Sequence, residues 1–247
     1  MDFISGEIIA VDKPLGWTSF DAVKRIRGSI KRRLKLKKFK VGHAGTLDPL
    51  ATGVLIVCTG RATRRIEELQ AGVKEYVATV KLGETTPSYD LETEIDATYP
   101  TEHITEELIK DVMKQFEGDI QQIPPVFSAV KVEGKRAYKY ARTGKELQLK
   151  PKKVRIEEIE FLGLENDRLT FRVVCGKGTY IRALARDLGE ALGSGAHLVE
   201  LRRTRVGGIG IGQCLSVAEA VEKINNTPLE FPEYFKLEGE DPIGSPK

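Results

Sequence analysis

Little in this sequence of 247 residues points outside the cell or into a membrane. Cysteine is scarce: Cys58, Cys175 and Cys214 stand far apart, which excludes a disulfide framework and suits a reducing compartment. The histidines, His43, His103 and His197, are equally scattered, and no Cys/His spacing reads as a zinc site. Tryptophan occurs once. No apolar run approaches the roughly 20 residues of a membrane helix. The opening Met1-Asp2-Phe3-Ile4-Ser5 lacks the basic and apolar regions of a signal peptide. These absences lead us to expect a cytoplasmic protein, with no membrane, metal or cofactor requirement.

A strong overall charge is also missing, since the formal net charge is only +3. Its distribution is uneven. From Lys24 to Lys40 there are ten Lys/Arg and no acid, whereas acids gather at Glu92–Asp96 and Glu230–Asp241. A basic sector on a near-neutral chain suits a polyanion. Internal repeats and low-complexity segments are absent.

What is present reads as mixed α and β. Residues 7–11, 54–59 and 76–82 read as strands, as do 154–162 and 168–175, separated by the turn signal Glu165-Asn166-Asp167. Thr18 and Asp21 form a capping-box pattern opening a helix with Val23, Ile26 and Ile30 on one face. The basic stretch 31–40 reads as a frayed helix end and loop. A helix over 104–117 is expected, with Leu108, Val112 and Phe116 on its inner face, and another over 181–192 stopped by Gly193. Ser216–Glu219 opens a final helix. Strict βαβ alternation is absent, so the expected class is α+β, with a mixed, mainly antiparallel sheet flanked by helices. We assign 1–226 to one catalytic domain and 227–247 to a short C-terminal tail.

The segment richest in chemistry is Gly42-His-Ala-Gly-Thr-Leu-Asp-Pro-Leu-Ala-Thr-Gly53. Three glycines and a proline in twelve residues mark a tightly shaped loop. Asp48 lies in its middle, and Pro49 keeps Asp48 out of the helical region. A carboxylate held this way serves as nucleophile or base, or simply caps its own turn.

The string GHAGTLDPLATGVL resembles the catalytic motif of the TruB family of pseudouridine synthases. Four further stretches resemble that family in the right order: VDKPLGWTSFDAV (11–23), KEYVATVKLGETT (74–86), IPPVFSAVKVEGKRAYKYARTG (123–144) and CGKGTYIRALARDLGEALGSGAHLVELRRTRVG (175–207). The resemblance implies the pseudouridine synthase fold and isomerisation of the T-loop uridine-55 of tRNA. Asp48 is the implied catalytic nucleophile. Tyr76 would stack on the target base, Tyr180 would be a second active-site tyrosine, and Arg182 would pair with Asp48. Leu201 would line the uracil pocket, and His43 would contact the RNA and help displace the nucleotide. Lys13 and Pro14 would support the active-site loop.

The expected partner is tRNA, acted on by a monomer without metal. Many bacterial relatives carry a C-terminal PUA domain, which the tail after residue 226 is too short to supply. The segment Glu84–Asp90 departs from the common family form but retains Asp90. Alternative readings are a guide-RNA-dependent synthase, a non-catalytic RNA-binding or tRNA-folding protein, and a glycoside or nucleoside hydrolase. The last needs a second carboxylate, and no partner for Asp48 stands out.

Overall fold

The computed structural model describes residues 1–128, 131–132, 135–137, 140 and 149–232. Much of the 123–144 stretch and of the 227–247 tail lies outside the described residues. Along the chain run β1 (Ile8–Lys13), α1 (Ser19–Arg33), β2 (Val41–His43), β3 (Ala51–Thr59), α2 (Ile66–Ala71), β4 (Lys74–Leu82), β5 (Glu84–Thr85) and β6 (Ala97–Thr98). There follow α3 (Glu106–Lys114), β7 (Gly118–Gln122), β8 (Lys131–Val132), β9 (Lys135–Arg136), β10 (Lys152–Glu165) and β11 (Arg168–Cys175). The chain continues with α4 (Ile181–Ala191), β12 (Ala196–Val206), β13 (Ile209–Gly210), β14 (Leu215–Ser216) and α5 (Val217–Asn226). The chain divides into two units, Met1–Ala71 with Arg205–Lys247, and Gly72–Thr204.

In the first unit β1 lies between β14, parallel, and β3, antiparallel, with Val11 opposite both Leu215 and Leu55. Strand β2 pairs on β3. The near-continuous apolar run of β3 is explained by cover on both faces. Leu55 and Val57 join a cluster with Val23, Ile26 and Ile30 of α1 and Val217, Ala220 and Ile224 of α5. Val54, Ile56 and Cys58 point the other way, onto Ala44, Ala62 and Val206. Gly60 closes this unit against the N-terminus. Its φ is +49°, and a Cβ would sit 2.3 Å from the carbonyl oxygen of Phe3, so only glycine fits.

Helix α1 begins with the expected capping box. The Asp21 amide donates to Thr18 Oγ1 at 3.1 Å, and the Thr18 amide donates to Asp21 Oδ2 at 3.0 Å. Lys31, Arg32 and Arg33 in the last turn suit the helix dipole, at about 0.3–1 kcal/mol each. Against that, Gly28 in the helix interior costs about 1 kcal/mol relative to alanine. The helix ends at Arg33, but the stretch beyond it is anchored rather than frayed. Leu34 is buried, and Leu36 and Phe39 pack on the core. Three apolar residues spaced too irregularly for a helix still reach one core, because Lys35 turns the chain with φ +53°.

In the second unit the strand order is β12-β4-β11-β10-β7. β4 pairs antiparallel with β11, β11 with β10, and β10 with β7. Burial alternates strictly along β4, placing Lys74, Tyr76, Ala78, Val80 and Leu82 on the inner face. The β10–β11 hairpin turns at Asn166 and Asp167, with φ +50° and +57°, the left-handed pair a two-residue hairpin demands. Asn and Asp are the non-glycine residues that tolerate it. Helix α3 is shorter than the expected 104–117. Thr105 caps it, accepting from the Leu108 amide at 3.2 Å. Its buried face is Ile109, Val112 and Met113, while Leu108 and Phe116 are only half-buried. The 3.6-residue period admits both stripes, and packing on β10 and α4 selects the neighbouring one. The sheets of both units are mainly antiparallel with helices laid on them, as the α+β expectation required.

Candidate active site

The Asp48 loop belongs to the first unit, and its peptide neighbours are held on both sides. On the N-terminal side, Ser19 Oγ donates to the Leu47 carbonyl at 2.9 Å and accepts from the Leu47 amide at 2.8 Å. On the C-terminal side, the Pro49 carbonyl accepts from the Gly16 amide at 2.9 Å and from Lys13 Nζ at 3.5 Å. The Ala51 amide donates to the Asp48 carbonyl at 3.1 Å, closing the turn. Leu47 is buried, whereas Asp48 is half-buried and Pro49 exposed. The loop therefore buries its apolar anchor and holds the half-buried Asp48 on a fixed backbone.

Lys13 is fully buried. Its ammonium donates to the carbonyls of Pro14 at 2.9 Å and Trp17 at 2.6 Å as well as Pro49. A buried cation is tolerated only when such acceptors replace its water. Here three carbonyls from two chain segments converge on one charge, and one of them, that of Pro49, belongs to the Asp48 loop. His43 lies half-buried in β2, opposite Val57.

The remaining candidates belong to the second unit. Tyr76 is 9% exposed on the inner face of β4, paired with Val173. Tyr180 stands at the N-cap of α4 in extended backbone. Its amide donates to Gln122 Oε1 at 2.8 Å, and its carbonyl accepts from Gln122 Nε2 at 3.2 Å. One buried glutamine thus fixes the tyrosine's backbone from both sides. Leu201 is half-buried in β12.

Arg182 is buried at the start of α4. Nη1 lies 3.5 Å from Asp90 Oδ2 and donates to the Ser88 carbonyl at 3.3 Å, while Nη2 donates to the Phe127 carbonyl at 3.0 Å. The Asp90 loop is itself ordered, because Thr86 Oγ1 and Ser88 Oγ donate to the Asp90 carbonyl. The guanidinium is consequently fixed in place by a carboxylate and two carbonyls.

Three supporting residues carry roles that their sequence positions do not announce: Ser19, Gln122 and Asp90. Ser19 is the residue after a helix cap, and Gln122 ends a short strand. Neither position carries a signal in one dimension. Asp90 stands out in the sequence only as a retained position, with no role attached. Among the described residues, no group of His, Cys, Asp and Glu could hold a metal ion.

Comparison with known proteins places this architecture. A family model described as TruB family pseudouridylate synthase (N terminal domain) matches residues 31–181. A second, described as tRNA pseudouridylate synthase B C-terminal domain, matches residues 182–227. The molecule is thus a pseudouridine synthase in class, an isomerase. The chain is 65% identical over 219 residues to the tRNA pseudouridine synthase B of Parabacteroides distasonis, covering 89% of this chain and 93% of that one. It is 62% identical over 231 residues to the protein of that name from Bacteroides fragilis, covering 94% and 99%. Among solved structures, a Cbf5-Nop10-Gar1 complex matches with TM-score 0.65 at 35% identity over 90% of this chain. An archaeal box H/ACA sRNP Nop10-Cbf5 complex matches with TM-score 0.61 at 33% identity over 88%. This chain spans about half the length of those two solved chains, 55% and 53%. The chain belongs to the TruB family of pseudouridine synthases.

Proposed function

We propose that the chain isomerises a uridine of tRNA to pseudouridine, at uridine-55 of the T-loop, with Asp48 as nucleophile. The observation that carries the reading is the Asp48 loop, fixed on both sides of the carboxylate by Ser19, Gly16 and Lys13. A rigid carboxylate is what attack on an extruded nucleotide requires. The target uridine leaves its stack at a cost of a few kcal/mol, offset by stacking on an aromatic ring, the role of Tyr76. His43 contacts the RNA and helps the nucleotide out. Tyr180 forms a second aromatic wall, and Leu201 lines the uracil pocket and keeps water away from the detached base.

The reaction breaks N1–C1′, turns the uracil and forms C5–C1′, without oxidation or hydrolysis. Three opening steps suit a carboxylate: addition to C1′, removal of a sugar proton to give a glycal, or addition to C6 of the uracil. Arg182, held by Asp90, would pair with Asp48. Such chemistry needs no metal or cofactor, and we assign it to a monomer in the cytoplasm. Among the described residues, no helix is long and apolar enough to cross a membrane.

The test is Asp48→Asn on unmodified tRNA transcript. Tritium release and pseudouridine mapping should show isomerisation abolished, while tRNA affinity stays near that of the unaltered protein. Near-normal turnover of the variant would remove Asp48 from its role. Pseudouridine mapped elsewhere than the T-loop would revise the target.

A further inference from the structure

One residue on the exposed face of α1 weakens the helix. Gly28 sits in the helix interior, yet an added Cβ would meet nothing within 4 Å, so packing does not demand glycine. The residues one turn away on either side are Lys24, Arg25, Lys31 and Arg32. Gly28 therefore has two cations on the turn before it and two on the turn after it. Lys24 has the Asp21 carboxylate near it, and that carboxylate's pKa is lowered chiefly by its hydrogen bonds to Thr18 and in part by Lys24. Lys31 and Arg32 suit the dipole of the last turn, whereas the glycine weakens the helix.

Together they shape a trough. A groove of about 740 Å³ runs along α1, with Trp17, Lys24, Arg25, Gly28 and Arg32 in its lining. A second, of about 330 Å³, shares Gly28 and Arg32 and includes Lys31. Asp21 lies at the first groove's N-terminal end, and its carboxylate is already committed to the Thr18 amide and hydroxyl at 3.0 and 2.6 Å. Trp17, at the same end, is 37% exposed, and its carbonyl is held by Lys13, the residue that also reaches Pro49 of the Asp48 loop.

We infer that this groove seats the phosphate backbone of RNA, with one phosphate over Gly28 inside the four cations and an unpaired base against Trp17. The missing side chain lets the phosphate approach the helix backbone, and Lys24, Arg25, Lys31 and Arg32 neutralise it. Contacts of this kind set the register of a substrate without reading its sequence. Lys13 couples the groove to the loop that presents Asp48. The choice of RNA as occupant rests on the proposed function.

Gly28→Glu and Gly28→Lys test this. Both place a good helix former in open space, so both variants fold, as circular dichroism melting will check. Filter binding to unmodified tRNA across a salt series reads affinity and its salt dependence. Gly28→Glu should weaken binding by on the order of tenfold and flatten the log–log slope by roughly 0.7–0.9 for each phosphate the protein no longer neutralises. Gly28→Lys should weaken binding less than Gly28→Glu, because its added positive charge offsets the lost space. Unchanged affinity and slope in Gly28→Glu would overturn the inference, as would equal weakening in the two variants. A protein that binds tRNA but forms no pseudouridine would sink the proposed function and leave this comparison readable.

Discussion

At the scale of single residues, the Asp48 loop is held by buried side chains. Lys13 is the clearest. Replacing it by methionine keeps the stem and removes the charge, leaving the carbonyls of Pro14, Trp17 and Pro49 without their shared donor. We predict a stability loss of about 1–3 kcal/mol, read as a shift in the urea midpoint. Single-turnover isomerisation should slow by on the order of tenfold to a hundredfold as the Asp48 loop loosens. Normal turnover would show that Ser19 and Gly16 suffice. The thiols give a second check. Burial pushes Cys58 and Cys175 up to about 11, while Cys214 is only half-buried. The reactive species is the thiolate, so near pH 9 a thiol reagent should label Cys214 alone in the folded protein and all three cysteines in denaturant. The sign for stability follows. With folded values raised above the ordinary 9.0, these thiols ionise first in the unfolded chain. Their contribution is intact below pH 9 and is lost as pH rises through 11.

At the scale of elements, local sequence did most of the work where a turn or cap has one chemical solution. The capping boxes at Thr18 and Ser216 are legible because a hydroxyl and a carboxylate three residues apart satisfy each other's backbone donors. The turn at Asn166-Asp167 is legible for a similar reason. Asn166→Val should cost about 1–2 kcal/mol, because a β-branched residue resists φ +50°. A thermal melt of that variant matching the unaltered protein would mean the hairpin re-forms with another turn. The inner face of α3 lies one stripe from the expected one, since amphipathic period alone leaves the rotation of a short helix to its neighbours.

At the scale of the molecule, the ends of the first unit meet. The Met1 ammonium donates to the Pro228 carbonyl at 2.7 Å, and the Glu230 amide donates to the Met1 carbonyl at 3.1 Å. Leu229 packs on the core of the first unit, and Arg33 Nη2 donates to the Thr227 carbonyl at 2.8 Å. Arg33 is therefore a structural clasp on α5 rather than one of the cations open to RNA. Deleting residues 227–247 should lower stability by about 2 kcal/mol. That corresponds to about 4–8 °C in Tm for a chain of this size. A deletion starting at residue 233 keeps these interactions and should melt like the full chain. Equal Tm values for the two deletions would show that the clasp contributes nothing.

The sequence by itself determined the family: an aspartate between glycines and before a proline, and four further motifs in order, carried the resemblance that the family models bear out. Those are properties of residue type and spacing, which one dimension carries in full. Only the tertiary structure decided which groups hold the candidate site residues. Ser19 grips Leu47 across 28 positions, Gln122 grips Tyr180 across 58, and Asp90 meets Arg182 across 92. The same holds for the basic sector, where position in the sequence made Arg32 and Arg33 equal and packing made one a groove wall and the other a clasp. The physical reason is that a buried polar group must find its partner wherever the fold brings one, and the distance along the chain plays no part in that requirement.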